Sequence, residues 1–365
     1  MTRDATSILT LTVIQRKPVG YRADFLLSYD SGKSAYLSAQ EREQLKKLGE
    51  TPALAEAAGT FARDLAARLL IDLSWASSQL EGNTYSLLDT ERLIQHGQAA
   101  QGKDASETQM ILNHKRAIEN LMEGAEEIAF NRFTLMSLHA ALSENLLADP
   151  AHEGRLRTRE VGITQSAYTP ISIPQKIEEY FDIILVKLQA IANPFEQAFF
   201  AMVHLSYLQP FEAVNKRTSR LAANIPFIKG NLIPLSFLDV SRDAYVHGLL
   251  GVYEDNNVGL LKDIFVAAYE RSSQKYHVVR EAIGKPDPFR QKHRTAIYNA
   301  VRSVIMNELP ATTDALVARA LQAGIELPAE HRQFAAMVLA QLGLVTAENA
   351  GRYGLTPNQF QGWQT

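Results

Sequence analysis

Asn215, Lys216, Arg217 and Arg220 crowd three cations and an amide into a short stretch, a set suited to gripping a phosphate. Lysine brings a point charge and arginine a planar fork of donors, and both pair with phosphate oxygens. Arg217 and Arg220 stand three apart, so on a helix they share one face and can hold the same anion. Gln209 and Glu212 lie just ahead of them. A glutamine has no titratable proton near neutral pH, whereas a carboxylate can accept a proton or bind a metal ion.

The elements that must present these groups are legible in the flanks. Residues 198–208 form an apolar run with helical spacing, and Pro210 ends it, because proline removes a donor and disfavours helix in the residue before it. A second run of helical spacing covers 217–228. The stretch between is expected as a tight loop joining two buried helices, with Asn215, Lys216 and Arg217 opening the second. Backbone N–H groups and the positive dipole end at a helix start favour a phosphate there.

Residues 209–220 read Gln-Pro-Phe-Glu-Ala-Val-Asn-Lys-Arg-Thr-Ser-Arg, which resembles the H-P-F-x-[D/E]-G-N-G-R-x-x-R motif of the Fic/Fido family. Members of that family typically transfer AMP from ATP to a protein hydroxyl. Pro210, Phe211, Asn215, Arg217 and Arg220 match the motif. Gln209 stands where the family has its general-base histidine, and Ala213 where it has the acid that holds magnesium. Val214 and Lys216 replace two glycines, and Lys216 can supply charge in compensation. The resemblance therefore implies ATP as ligand, held by Asn215, Lys216, Arg217 and Arg220, with magnesium lacking its usual carboxylate. It implies a protein target, and a transferase activity that is reduced, altered or lost. Gln209 and Glu212 are the candidate positions for any chemical step that remains. His204, five residues before Gln209, points to another face of its helix, turned by about 140°.

Two further segments carry the resemblance. Ser77, Glu81 and Gly82 fit the [S/T]-x-x-x-E-[G/N] pattern of the family's inhibitory helix, whose glutamate pairs with the second motif arginine. The sharp expectation is a Glu81 to Arg220 ion pair. Taken alone, the same segment is a helix C-cap with a solvated Glu81. Gly154 to Arg157 follows a G-x-x-R pattern, and 155–163 with 168–171 are expected to form a hairpin flap. In the family such a flap holds the target peptide by strand addition, here with Tyr168 and Thr169; the plainer reading is a surface hairpin with an exposed tyrosine.

The remaining sequence sets the frame. With 365 residues, about two domains are expected. Hydrophobic content of 46% and charged content of 21% are ordinary for a globular protein. No apolar run reaches the ~18 residues of a membrane span, and Met1-Thr2-Arg3-Asp4 opens no signal peptide. A cytoplasmic setting is the expectation. Zero cysteines exclude thiolate metal sites, and no His/Asp/Glu cluster has metal spacing. His139, among leucines, reads as a core histidine.

The expected architecture is mainly α, a Fic-like helical core with a small β-hairpin flap and a C-terminal winged-helix-like domain. It divides into a β-containing arm (1–50), helices bearing the inhibitory pattern (51–104), the Fic-like core (105–275), a linker (276–288) and the last domain (289–365). In that domain helices are expected at 289–308, 313–322 and 329–342, with a hairpin wing at 344–355. His331, Arg332 and Gln333 stand near the start of the would-be recognition helix. From Tyr276 onward nine Lys/Arg against seven Asp/Glu leave +2, a thin charge for DNA phosphates. A DNA-binding regulator with the core as sensor or scaffold is the alternative function, and the family often forms homodimers.

Overall fold

The structure is a computed structural model that describes residues 12–282 and 287–364. The chain falls into two units, Met1–Ala282 and Ile283–Thr365.

The first unit begins with β1 (Val19–Gly20), α1 (Ala23–Leu27), α2 (Ala39–Gly49), α3 (Thr60–Asp64) and α4 (Ala66–Gln79). Next come α5 (Leu87–His96), α6 (Ala105–Glu123), α7 (Arg132–Ser143), β2 (Tyr168–Thr169), α8 (Pro174–Ala190) and α9 (Pro194–Leu208). The unit closes with α10 (Asn215–Ala222), α11 (Ile225–Lys229), α12 (Arg242–Leu250), a π-helical turn Gly251–Asp255 and α13 (Gly259–Ala282).

Helix α9 is the axle. Pro194 opens it, and the Asn193 side chain caps it by accepting from the N–H groups of Phe195 and Glu196. Every later residue except Gln197 is buried, as a helix that is apolar all round requires. It packs on α2, α8, α10 and α11. In turn α10 packs on α4 and α7, which brings the end of α4 over the start of α10.

Several expectations change in detail. In the stretch expected as helices bearing the inhibitory pattern (51–104), the first helix begins at Thr60, because Gly59 adopts a left-handed φ of 78° and donates to Ile228 O at 3.0 Å. Leu65 then separates α3 from α4. Residues 1–11 of the expected β-containing arm lie outside the described residues, and the described part of the arm holds the short strand β1 beside helices α1 and α2. Helix α13 runs to Ala282, into the stretch expected as a linker (276–288).

The flap hairpin is not formed. Residues 155–163 contain no strand. Tyr168–Thr169 instead pairs in parallel with Val19–Gly20, in the register Val19 to Tyr168 and Gly20 to Thr169. The arm residue Arg16 and the segment 166–167 are tied to one carboxylate. Glu254 accepts from Arg16 at 2.8 Å, Ser166 Oγ at 2.8 Å and Ala167 N at 3.0 Å.

The second unit holds α14 (Pro288–Lys292), α15 (Arg294–Ile305), α16 (Thr313–Gln322), α17 (Pro328–Leu342) and α18 (Pro357–Gln364). Its own core includes Ile297, Val301, Leu316, Phe334, Val338 and Phe360. The three expected helices are present, the first broken at His293. The expected wing is not a strand pair: a 3₁₀ turn, Ala350–Tyr353, and helix α18 take its place. Asn349 explains why, since its side chain accepts from Thr346 N and donates to Leu344 O, both at 2.9 Å, folding the backbone into a turn. His331 is buried and bonded to Ile325 O at 2.7 Å, while Arg332 and Gln333 are exposed.

Candidate functional site: a cation cluster closed by a carboxylate

The loop between α9 and α10 is pinned from several sides. Gln209 ends α9 in the left-handed region at φ 49°, and Val214 precedes α10 at φ 63°. The second is costly for a β-branched residue and marks a place where glycine would be at ease. Asn215 clamps the loop, its side chain accepting from Phe211 N and donating to Phe211 O at 2.8 Å each. Arg157 ties the loop to the segment before β2. Its N–H donates to Pro210 O at 2.9 Å, its Nε to Gln209 O at 2.6 Å, and its other nitrogens to Arg159 O and Ile171 O.

His139 is the loop's other support. It stacks on Phe211 with centroids 3.9 Å apart and planes at 8°. Its Nδ1 accepts from Gly154 N at 3.0 Å, which leaves Nε2–H to donate to Ala213 O at 3.3 Å. Burial holds its pKa down to about 4, so it is a neutral core histidine, as its leucine-rich surroundings implied.

The expected ion pair is present. Arg220 Nη2 lies 2.7 Å from Glu81 Oε1, and Lys216 Nζ lies 2.8 Å from Glu81 Oε2. The carboxylate thus bridges two motif cations. Glu81 sits past the end of α4, where Gly82 takes a left-handed φ of 97°. The end is therefore also a C-cap, but Glu81 is not solvated: its side chain is 15% exposed. Burial pushes this carboxyl up, yet Arg220, Lys216 and Arg217 outweigh it and hold the pKa at about 2.

Arg220 is fully buried. Its Nε donates to Ser77 Oγ at 3.0 Å and its Nη2 also to Ser77 O at 2.9 Å. Tyr245 lies beside it, with the guanidinium 5.1 Å from the ring centre, and Nη1 has no hydrogen-bond partner among the described residues. Ser77 Oγ in turn donates to His114 Nε2 at 2.9 Å, while His114 Nδ1–H donates to Met110 O at 2.8 Å. Burial and the nearby Arg217 keep His114 neutral, with a pKa of about 3. Arg217 is bonded only weakly, to Leu142 O at 3.4 Å, and burial lowers its pKa to about 10. Three cations therefore face one carboxylate, an excess of positive charge that suits a further anion.

The remaining candidates lie apart from this cluster. The Gln209 side chain turns back to its own helix, donating to Ser206 O at 2.7 Å and Tyr253 Oη at 3.3 Å. Glu212 pairs with His152 and, at 3.5 Å, with Arg159. His204 is buried, bonded to Tyr36 Oη at 2.8 Å and held near pKa 3 by burial. Tyr168 is neither a flap nor an exposed residue. It is buried, stacks on Tyr207 and Tyr253, and donates to Tyr207 O at 2.6 Å. Thr169 is exposed on β2.

Magnesium, which the family holds through an acid that this sequence lacks, does not fit the residues present. Ala213 offers a methyl group, Glu212 is engaged by His152 and Arg159, and Glu81 by Arg220 and Lys216. Among the described residues no group of three or more His, Asp or Glu is placed to hold a metal ion. Sequence reasoning missed His114, which no local pattern marks, and the loop-clamping role of Arg157, which the G-x-x-R spacing did point to.

Residues 129–227 match the Fic/DOC family. The chain is 27% identical over 208 residues to the protein adenylyltransferase fic-1 of Caenorhabditis elegans, covering 54% of this chain and 39% of that protein. It is 26% identical over 174 residues to the protein adenylyltransferase Fic of Nematostella vectensis, covering 46% and 40%. The matched part thus spans about two fifths of the length of these relatives. In fold the chain is similar to a Fic family protein from Desulfovibrio desulfuricans, with a TM-score of 0.53 and 16% identity over 74% of this chain and 82% of that one. The fold is thus mainly helical and Fic-like.

Proposed function

Because the chain is a member of the Fic/Fido family, we propose that residues 209–220 bind the phosphates of ATP and that Glu81 holds this site closed. The activity is transfer of AMP from ATP to a protein hydroxyl, reduced, altered or lost through the changes at Gln209 and Ala213. The observation that carries this reading is the Glu81 carboxylate seated between Arg220 and Lys216. A carboxylate at that place occupies the donors that phosphate oxygens would use, so nucleotide and Glu81 compete for one seat. Asn215 fixes the loop, and Arg217 and Arg220 present their charge from the first turns of α10.

Chemistry is the weaker half of the site. Gln209 accepts no proton, and the missing general base costs ~10²–10⁴ in rate. Its amide is also committed to Ser206 O and Tyr253. With no carboxylate at Ala213, stabilisation of the transferring phosphate falls to Lys216, Arg217 and Arg220.

The test is incubation with ATP labelled on the α-phosphate and a cell lysate, for the natural chain and Glu81→Gly. Label on protein with Glu81→Gly and little with the natural chain is the expected result. Absence of label from both, together with ATP-dependent thermal stabilisation that Arg217→Ala abolishes, reduces the reading to nucleotide binding alone. Absence of both label and stabilisation overturns it.

A further inference from the structure

We propose that Lys216 takes the place of the divalent cation at the bound phosphates, so that ATP occupies this site without magnesium. The inference rests on the nucleotide reading above and goes beyond the absence of the family's magnesium-binding acid.

Glu81 serves as the guide, because its carboxylate is an anion already seated in the pocket. One oxygen meets Arg220 Nη2 at 2.7 Å and the other meets Lys216 Nζ at 2.8 Å. A ligand oxygen that replaces the second one inherits an ammonium at hydrogen-bond distance. The lysine side chain is 35% exposed, free enough on its four-carbon stem to follow an anion of different shape. Arg220 is fully buried and bonded to Ser77 through Nε and Nη2, so its guanidinium stays fixed behind the seat while the lysine adapts.

Charge points the same way. Once Glu81 is displaced, Lys216, Arg217 and Arg220 stand together with no acid among them. Such a cluster offsets most of the charge of a polyanionic triphosphate, and a dication beside it would need a carboxylate of the protein to hold it. That carboxylate is missing at Ala213, and Glu212 faces His152 and Arg159 instead. A lysine at this place thus meets the need that a metal would otherwise meet.

A purely structural role for Lys216, as a second clamp on Glu81, makes a different forecast. In a chain without Glu81 the clamp has nothing to hold, and loss of Lys216 should leave affinity unchanged. The experiment is calorimetric titration of ATP into the full-length Glu81→Gly chain, once in excess EDTA and once in magnesium. The dissociation constants should agree within about threefold. Adding Lys216→Gly should weaken binding in EDTA by about tenfold, the worth of one charge-assisted hydrogen bond, and Lys216→Arg should restore it. Binding that requires magnesium overturns the inference while leaving the nucleotide reading intact, and so does a Lys216→Gly change without effect. Glu81→Gln, with its fold checked by circular dichroism, guards against a misfolded glycine variant. No binding by either folded variant in either buffer overturns both the inference and the reading on which it rests.

Discussion

Glu81 gives the site a pH signature. Its folded pKa of about 2 lies below the ordinary 4.5, so the ion pair stabilises the fold above about pH 4.5 and is lost as pH falls toward 2. The linked contribution is about 3 kcal/mol. His114, His139 and His204 are held neutral by burial, with values of about 3, 4 and 3 against an ordinary 6.5. For them too, stability falls as pH drops, beginning near 6.5, because the unfolded chain binds the proton more readily. Denaturant unfolding across pH 7 to 3 should therefore show steadily falling stability, and Glu81→Gln should flatten its lower end; equal slopes in the two proteins below pH 4.5 would contradict the assigned pair. The pair with Arg220 was legible in the sequence because both partners sit in recognisable short patterns. The Ser77 to His114 link was not, since it depends on α4 packing against α6, which no residue spacing within either helix reveals.

At the scale of elements, the loop from Gln209 to Val214 is held by side chains from elsewhere in the fold. Arg157 reaches three carbonyls, and its removal leaves those acceptors without their donor. Arg157→Ala should destabilise the fold by about 2–4 kcal/mol, read by urea unfolding, and hydrogen exchange should quicken at the loop amides. An unchanged midpoint would show that the loop holds itself. Helix α9 was legible because an apolar run and a proline mark its limits, whereas the single run expected over 217–228 is broken at 223–224 into α10 and α11. The flap was misread because a strand's partner is a long-range choice. Tyr168–Thr169 has the residue types of a strand, but Val19 and Gly20 lie beside it, and the buried stack on Tyr207 and Tyr253 turns the tyrosine inward. The wing failed for a local reason, the Asn349 turn, which competes with extended backbone.

At the scale of the molecule, every group assigned to phosphate binding and to its closure lies in the first unit. Deleting residues 283–365 should leave the ATP affinity of the Glu81→Gly chain within about threefold, since no group assigned to the site belongs to them; a larger loss would make the second unit part of the binding process. The chain divides between Ala282 and Ile283, whereas the run of α13 to Ala282, into the stretch expected as a linker (276–288), was hidden because nothing in its sequence forbids or requires another two turns. The central claim is competition between Glu81 and nucleotide for Arg220 and Lys216, and the direct measurement is the dissociation constant of ATP for the natural chain against Glu81→Gly. The account predicts at least about tenfold tighter binding by the variant, since two charge-assisted contacts, to Arg220 and Lys216, must otherwise be broken first. Equal affinities, or tighter binding by the natural chain, would contradict it.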